Sequence, residues 1–225
     1  MHLNLANIKI LLLGVSMTLG VSMTAQNISL EISDSSIDEN GGETTVTATA
    51  DSSFASDTEV VLSFSGTATF GEDYTASDPS IIIPEGSLEG SITVTSIDDD
   101  IFEGEETLII DIESVDNGEI GSPSQVTATI NDDESVPQVT LSASSNSIAE
   151  GETSTLTASL SNATDEDVEV TLDTTDISTN QEDYTLSSNT ITIAAGDTEG
   201  TATLSASEDE IYEGDEEVEV AISEV

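Results

Sequence analysis

From residue 26 onward the chain is written in short runs that alternate apolar and polar positions. Thr45-Val46-Thr47-Ala48-Thr49-Ala50, Ile92-Thr93-Val94-Thr95 and Val126-Thr127-Ala128-Thr129-Ile130 are three of them, and Val168-Glu169-Val170-Thr171-Leu172 and Val218-Glu219-Val220-Ala221-Ile222 repeat the pattern later. A period of two with many β-branched residues marks strands with one buried face. Turn clusters such as Glu39-Asn40-Gly41-Gly42, Pro84-Glu85-Gly86 and Asp116-Asn117-Gly118 separate the runs. No stretch after residue 25 keeps a helical period for three turns. The pattern predicts seven strands in the first half, at about 28–33, 44–50, 58–65, 80–83, 91–97, 106–114 and 124–131. Seven short strands with regular turns read as an immunoglobulin-like β-sandwich, here without the Cys and Trp that staple antibody domains.

The two halves repeat each other. With 110 added to each number, Glu72-Asp73-Tyr74 falls on Glu182-Asp183-Tyr184 and Glu89-Gly90 on Glu199-Gly200. The stretch Asp98-Asp99-Asp100-Ile101-Phe102-Glu103-Gly104-Glu105-Glu106 falls on Glu208-Asp209-Glu210-Ile211-Tyr212-Glu213-Gly214-Asp215-Glu216. Its mismatches exchange acid for acid or Phe for Tyr. Nearer the start Ile37 and Glu39 align with Ile148 and Glu150. The expected fold is therefore all-β, with two tandem sandwiches at 27–135 and 137–225. The second lacks its last strand, since the match to Glu134 would be position 244 (134 + 110). An incomplete sandwich leaves an unpaired edge, so the expectation is a longer chain with neighbouring repeats.

Charge changes the picture next. The 225 residues hold 47 Asp and Glu against one Lys and one His, for a formal net charge of −46. High net charge with few aromatics is also a mark of disorder, but the sustained alternation argues for folded strands. Lys9 and His2 both precede residue 26, where no acid occurs. Beyond that point no cationic side chain exists, which excludes a grip on nucleic-acid phosphates and attraction to an anionic membrane surface. No Cys and no later His or Lys removes thiolate, imidazole and Schiff-base chemistry. What remains is carboxylates, hydroxyls and backbone carbonyls, the oxygen ligands of a hard cation.

Residues 1–25 read as a secretory signal peptide. His2 and Lys9 form a weak polar start, and Ile10 to Val21 form an apolar stretch interrupted by Gly and Ser. An uncleaved anchor is the alternative. The remainder is expected to be secreted or displayed at the cell surface.

The acids cluster. Asp98, Asp99, Glu103 and Glu106 share one loop, Asp132-Asp133-Glu134 ends the last strand of the first half, Glu39 follows the first strand, and Asp73 precedes the fourth. The loops of a sandwich gather at its two ends, so these segments can converge. Two bare carboxylates about 4 Å apart repel by roughly 4 kcal/mol at an effective dielectric near 20, so convergence makes sense around a divalent ion. The spacing is not that of an EF-hand, nor of the glycine-rich nonapeptide repeat.

The signature 98–106, followed by Ala128-Thr129-Ile130-Asn131-Asp132-Asp133-Glu134, resembles the Calx-β domain. That resemblance implies an immunoglobulin-like sandwich with several Ca2+ ions clustered at one end. Carried over by motif position, it implies Glu39, Asp73, Asp98, Asp99, Glu103, Glu106, Asp132, Asp133 and Glu134 as ligands, with Ile101 offering its carbonyl. In the second copy it implies Glu150, Asp183, Glu208, Asp209, Ile211, Glu213 and Glu216. There Glu208 replaces an Asp and the closing acidic run is missing, so that site is expected to be weaker or empty. Phe102 and Tyr212 are expected to plug the sandwich ends, and Tyr74 and Tyr184 to pack beneath the loop. Gly104 and Gly214 are expected to take a left-handed turn. The reading that follows is a non-enzymatic, calcium-binding module that rigidifies a stalk or adhesin segment facing a cell-surface or matrix partner. Two alternatives stay open: a calcium sensor attached to a further domain, and a carboxylate-based glycoside hydrolase.

Overall fold

Alternation along the sequence becomes two separate apolar cores in the computed structural model, which describes residues 26–179, 182–212 and 214–225. The signal-peptide segment 1–25 and Glu213 lie outside the described residues. The first unit comprises β1 (Asn27–Ile32), β2 (Ser36–Asp38), β3 (Glu43–Ala50), β4 (Thr58–Gly66), β5 (Tyr74–Ala76), β6 (Ser80–Ile83), β7 (Glu89–Ser96), β8 (Ile101–Phe102), β9 (Glu106–Val115), β10 (Glu119–Ile120) and β11 (Gln125–Asn131). One sheet runs β10-β1-β3-β7-β5 and the other β2-β11-β9-β4-β6. The seven predicted strands are all present. The four short strands β2, β5, β8 and β10 were not predicted, because two or three residues cannot display an alternation.

The inward positions are those the period of two selects. Val46, Ala48 and Ala50 of β3, Ile81 and Ile83 of β6, and Leu108 and Ile110 of β9 are buried while their neighbours are not. Each fully buried Val, Leu or Ile contributes about 1.5–3 kcal/mol, which offsets the charge carried outside. Tyr74 is 1 % exposed and lies between Phe64 and Phe70, with ring centroids 6.2 and 5.6 Å away.

The second unit comprises β12 (Val139–Ala143), β13 (Thr153–Leu160), β14 (Ala163–Thr164), β15 (Val168–Asp176), β16 (Tyr184–Leu186), β17 (Thr190–Ile193), β18 (Glu199–Ala206) and β19 (Val218–Glu224). Adding 110 to the bounds of β4, β5, β6 and β7 gives those of β15, β16, β17 and β18. Its sheets are β12-β13-β18-β16 and β17-β15-β19, so β19 is an edge where its counterpart β9 is flanked by β11. A cleft of about 1060 Å³ opens between them, lined in part by Leu141, Leu156, Leu204, Val218 and Val220.

Two aromatic positions depart from expectation. Tyr212 does not plug the second sandwich: it is 96 % exposed, beside exposed Ile211. Phe102 is half-buried and is not part of the first core. The difference between them has a backbone cause. Ile101 and Phe102 are held as β8 by parallel pairing with β14 of the second unit, and among the described residues no strand does the same for Ile211 and Tyr212.

Candidate metal centre

Strand register brings the acids of the first unit to one end. Strand β2 runs parallel to β11 with Asp38 opposite Asn131, so the next residues, Glu39 and Asp132, emerge side by side. The Glu39 amide donates to the Asn131 carbonyl at 2.8 Å. Strand β9 opens at Glu106, which pairs with Ile130 just before the same acidic run. In the other sheet Tyr74 pairs with Ser96 and the Ile97 amide donates to the Asp73 carbonyl at 2.8 Å, so Asp73 stands at the root of the 98–106 loop. The Ser96 hydroxyl donates to the Asp38 carbonyl at 2.7 Å and ties the two sheets together at this end.

Three triads of carboxylates result, each with oxygens within 4.8 Å of one another: Glu39, Asp99 and Glu103; Glu39, Asp133 and Glu134; Asp73, Glu103 and Glu106. Glu39 belongs to two of them and Glu103 to two, so the triads form one continuous cluster. Glu39 is only 4 % exposed and Asp73 only 7 %. One oxygen of Glu134, Oε2, is buried with no hydrogen-bond partner.

The electrostatics record the crowding. Burial, reinforced by Asp99, Glu134, Asp132 and Glu103, pushes the Glu39 carboxyl up to about 7. Burial together with Asp73, Asp99, Asp165 and Asp132 pushes Glu103 up to about 7. Burial, then a hydrogen bond and the charge of Asp73, carries Glu106 to about 8. Burial and the neighbouring Asp132 and Asp133 carry Glu134 to about 7. Asp132 differs. Burial would raise it, but the amides of Gly104, Glu134 and Glu103 all donate to it and together pull it below the ordinary carboxylate range. Gly104 has a φ of 79°, which turns its amide into that position.

The remaining expected ligands are placed differently. Asp98 is exposed and joins none of the triads. Asp132 faces backbone donors rather than a triad. Ile101 donates its amide to Asp99 Oδ1 at 2.7 Å. In the second unit Glu150, Glu208, Asp209, Ile211 and Glu216 are exposed. The Thr179 hydroxyl lies within hydrogen-bonding distance of both Asp183 and Glu216, at 3.1 and 3.0 Å, and Asp209 receives the Ile211 amide at 2.6 Å. Among the described residues no triad forms there. One acid near the first cluster was not expected. Asp165, from the second unit, acts on Glu103.

The donor set is all oxygen, strongly anionic and partly desolvated, which fits a hard divalent cation of flexible coordination. Glycoside hydrolysis uses two carboxyls set on either side of a sugar, whereas here the carboxylates are massed in one cluster.

Among curated proteins nothing matches the chain. Similar solved structures include the calcium binding domain CBD12 of CALX1.1, 22 % identical over 78 % of this chain and 74 % of that one, with a TM-score of 0.43. The apo-form Calx CBD1 domain is 26 % identical over 49 % of this chain and 100 % of that one, with a TM-score of 0.42. The Yersinia pseudotuberculosis adhesin InvE is 17 % identical over 80 % of this chain and 51 % of that one, with a TM-score of 0.37. Residues 135–225 match the LapA domain model. The stretch that carries the convergent carboxylates, residues 23–134, matches the Calx-beta domain model and belongs to the Calx-beta domain family.

Proposed function

We propose that the first unit is a calcium-binding module, with Glu39, Asp73, Asp99, Glu103, Glu106, Asp133 and Glu134 as the carboxylates that would hold a cluster of Ca2+ ions. The observation that carries this reading is Glu39. The residue is almost wholly buried, its carboxylate belongs to two triads, and it has no cationic side chain to neutralise it. A buried charge without a partner is costly, and a divalent cation removes that cost. The membership of residues 23–134 in the Calx-beta family and the all-oxygen donor set support the same conclusion.

The setting is extracellular in this reading, on the strength of the signal-like segment 1–25, and the role is structural. Residues 135–138 connect the cluster directly to the second unit, so cation binding at Asp133 and Glu134 stiffens the junction of a stalk or adhesin segment. The second unit's acids, spread open and partly engaged with Thr179, form at most a weaker site. The test is thermal unfolding of the chain across a calcium titration, with chelator as the reference. At 100 times the dissociation constant, linkage gives about 2.7 kcal/mol, or roughly 10–20 °C for a domain of this size. An unfolding temperature that does not move up to 10 mM calcium (about ten times the weakest dissociation constant of extracellular sites) would sink the proposal.

A further inference from the structure

The junction between the two units places a second-unit acid on the first unit's cluster. Strands β8 and β14 pair in parallel, with Ala163 opposite Ile101 and Thr164 opposite Phe102. Asp165 and Glu103 are the residues that directly follow this pairing, each leaving its strand at the same end of the contact. Thr164 is buried in the contact, and Asn162 Nδ2 donates to the Ser135 carbonyl at 3.0 Å, which fixes the approach. Glu103, like Glu39, belongs to two of the carboxylate triads. Without a cation this docking brings acids of the two units together at one point.

The repeat separates Asp165 from the framework acids around it. Subtracting 110 places Asp167 on Asp57, and both do the same work: Asp57 Oδ1 accepts the Glu85 amide at 2.8 Å and Asp167 Oδ1 accepts the Ala195 amide at 2.9 Å. Asp165 falls on Ala55, so the sandwich itself needs no acid there. The cluster Asp165 approaches already calls for a cation on independent grounds, since Glu39 is almost wholly buried without a cationic partner and Glu134 Oε2 is buried without any hydrogen bond.

We propose that Asp165 is a ligand supplied by the second unit to the calcium site of the first, at the position of Glu103, so that the site is complete only when the two units are docked. This rests on the reading of the first unit as a calcium module and adds a residue that the Calx-beta segment does not contain. It makes calcium affinity a property of the pair of units, and docking a property of the calcium-loaded chain.

The experiment is calorimetric titration of the full chain with calcium chloride, alongside D165N and the neighbouring exposed-acid control E166Q, with interdomain distance followed by paired spin labels. Wild type is expected to bind calcium and to draw its units into one narrow distance distribution. D165N is expected to bind at least one calcium about 5–10 times more weakly, with a distribution that stays broad, and with the chelator-state unfolding temperature of wild type or higher. E166Q is expected to match wild type. No calcium heat in wild type would overturn the calcium reading itself. Calcium binding in wild type with equal affinity in D165N, or an equal weakening in E166Q, would leave that reading standing and overturn the role of Asp165.

Discussion

The Glu39 amide donates to the Asn131 carbonyl at 2.8 Å, and through that bond the end of β2 is fixed to the end of β11. The residues are 92 apart in sequence (131 − 39), yet the bond sets Glu39 beside Asp133 and Glu134 in one triad. Glu39 is held in place by backbone pairing rather than by a contact of its own carboxylate, so the carboxylate is free for a ligand. Glu39→Gln should therefore have opposite effects with and without calcium. In chelator at pH 8 it removes a buried charge, and the unfolding temperature should rise by a few degrees. In saturating calcium it removes a ligand shared by two triads, and the calcium-induced rise should shrink by at least half. Calorimetric unfolding of both proteins in both conditions checks this; a loss of stability in chelator would show that Glu39 has a structural partner instead.

The pH dependence of the calcium-free chain follows from the raised carboxyls. Glu39, Glu103 and Glu134 stand at about 7 and Glu106 at about 8 in the folded state, against 4.5 for an ordinary Glu. A group raised on folding contributes stability that is complete below its unfolded value and is lost as pH climbs through its folded value. The chelated protein should be most stable near pH 5 and lose about 5 °C or more by pH 8. Asp132, lowered on folding, works the other way and sets the acid limit, because its contribution disappears only below the ordinary Asp range. With calcium present the slope between pH 5 and 8 should flatten or reverse, since protons and cations compete for the same oxygens. A scan of unfolding temperature against pH with and without chelator reads both.

Much of this site can be read in the sequence, for physical reasons that particular residues make clear. Glu39, Asp73, Asp99, Glu103, Glu106, Asp133 and Glu134 are legible because acids massed at strand ends can meet where a sandwich gathers its loops, and because the resemblance to the Calx-β domain implies each of them. Strands β3, β7 and β9 are legible because eight to ten alternating residues leave no other period. Strand β2 is not legible, since Ser36–Asp38 has a single buried side chain, and with it goes the parallel register that places Glu39. Asp132 looks like one more ligand in a run of acids. Only the structure shows three backbone amides converging on it. Asp165 is invisible for another reason: its position depends on how the two units meet, which no periodicity within either unit encodes.

The repeated Glu-Gly pair predicts a backbone-level sensitivity away from the cluster. A Cβ at Gly90 would lie 2.1 Å from the Ile82 carbonyl oxygen, and one at Gly200 would lie 2.6 Å from the Thr192 carbonyl oxygen. These glycines let β7 and β18 pass close to β6 and β17 of the opposite sheets, which is why the pair recurs 110 residues apart. Gly90→Ala must push backbone against backbone and should cost about 1–3 kcal/mol of stability, as overpacking does. Denaturant unfolding should show the loss equally with calcium and with chelator, because the contact is remote from the acids. A loss confined to the calcium-loaded protein would contradict this placement.

Asp132 provides the sharpest separation of scaffold from ligand. Its Oδ2 accepts the amides of Glu103 and Gly104, the former at 2.8 Å, and its Oδ1 accepts the Glu134 amide at 2.7 Å. Both oxygens are thus committed to shaping the loop that presents Glu103 and Glu134. Asp132→Asn turns one acceptor into an NH2 group that must face a backbone donor. At least one amide then loses its partner, at a cost of about 1–3 kcal/mol. The chelated D132N chain should therefore unfold earlier than wild type, by roughly 5–15 °C, whereas Glu39→Gln raises the same temperature. Asp133→Asn, at an exposed triad acid, should leave the chelated stability nearly unchanged and weaken calcium binding alone. Unfolding and calcium titration of the three variants together would give three different patterns, and D132N behaving like D133N would mean that Asp132 acts only as a ligand.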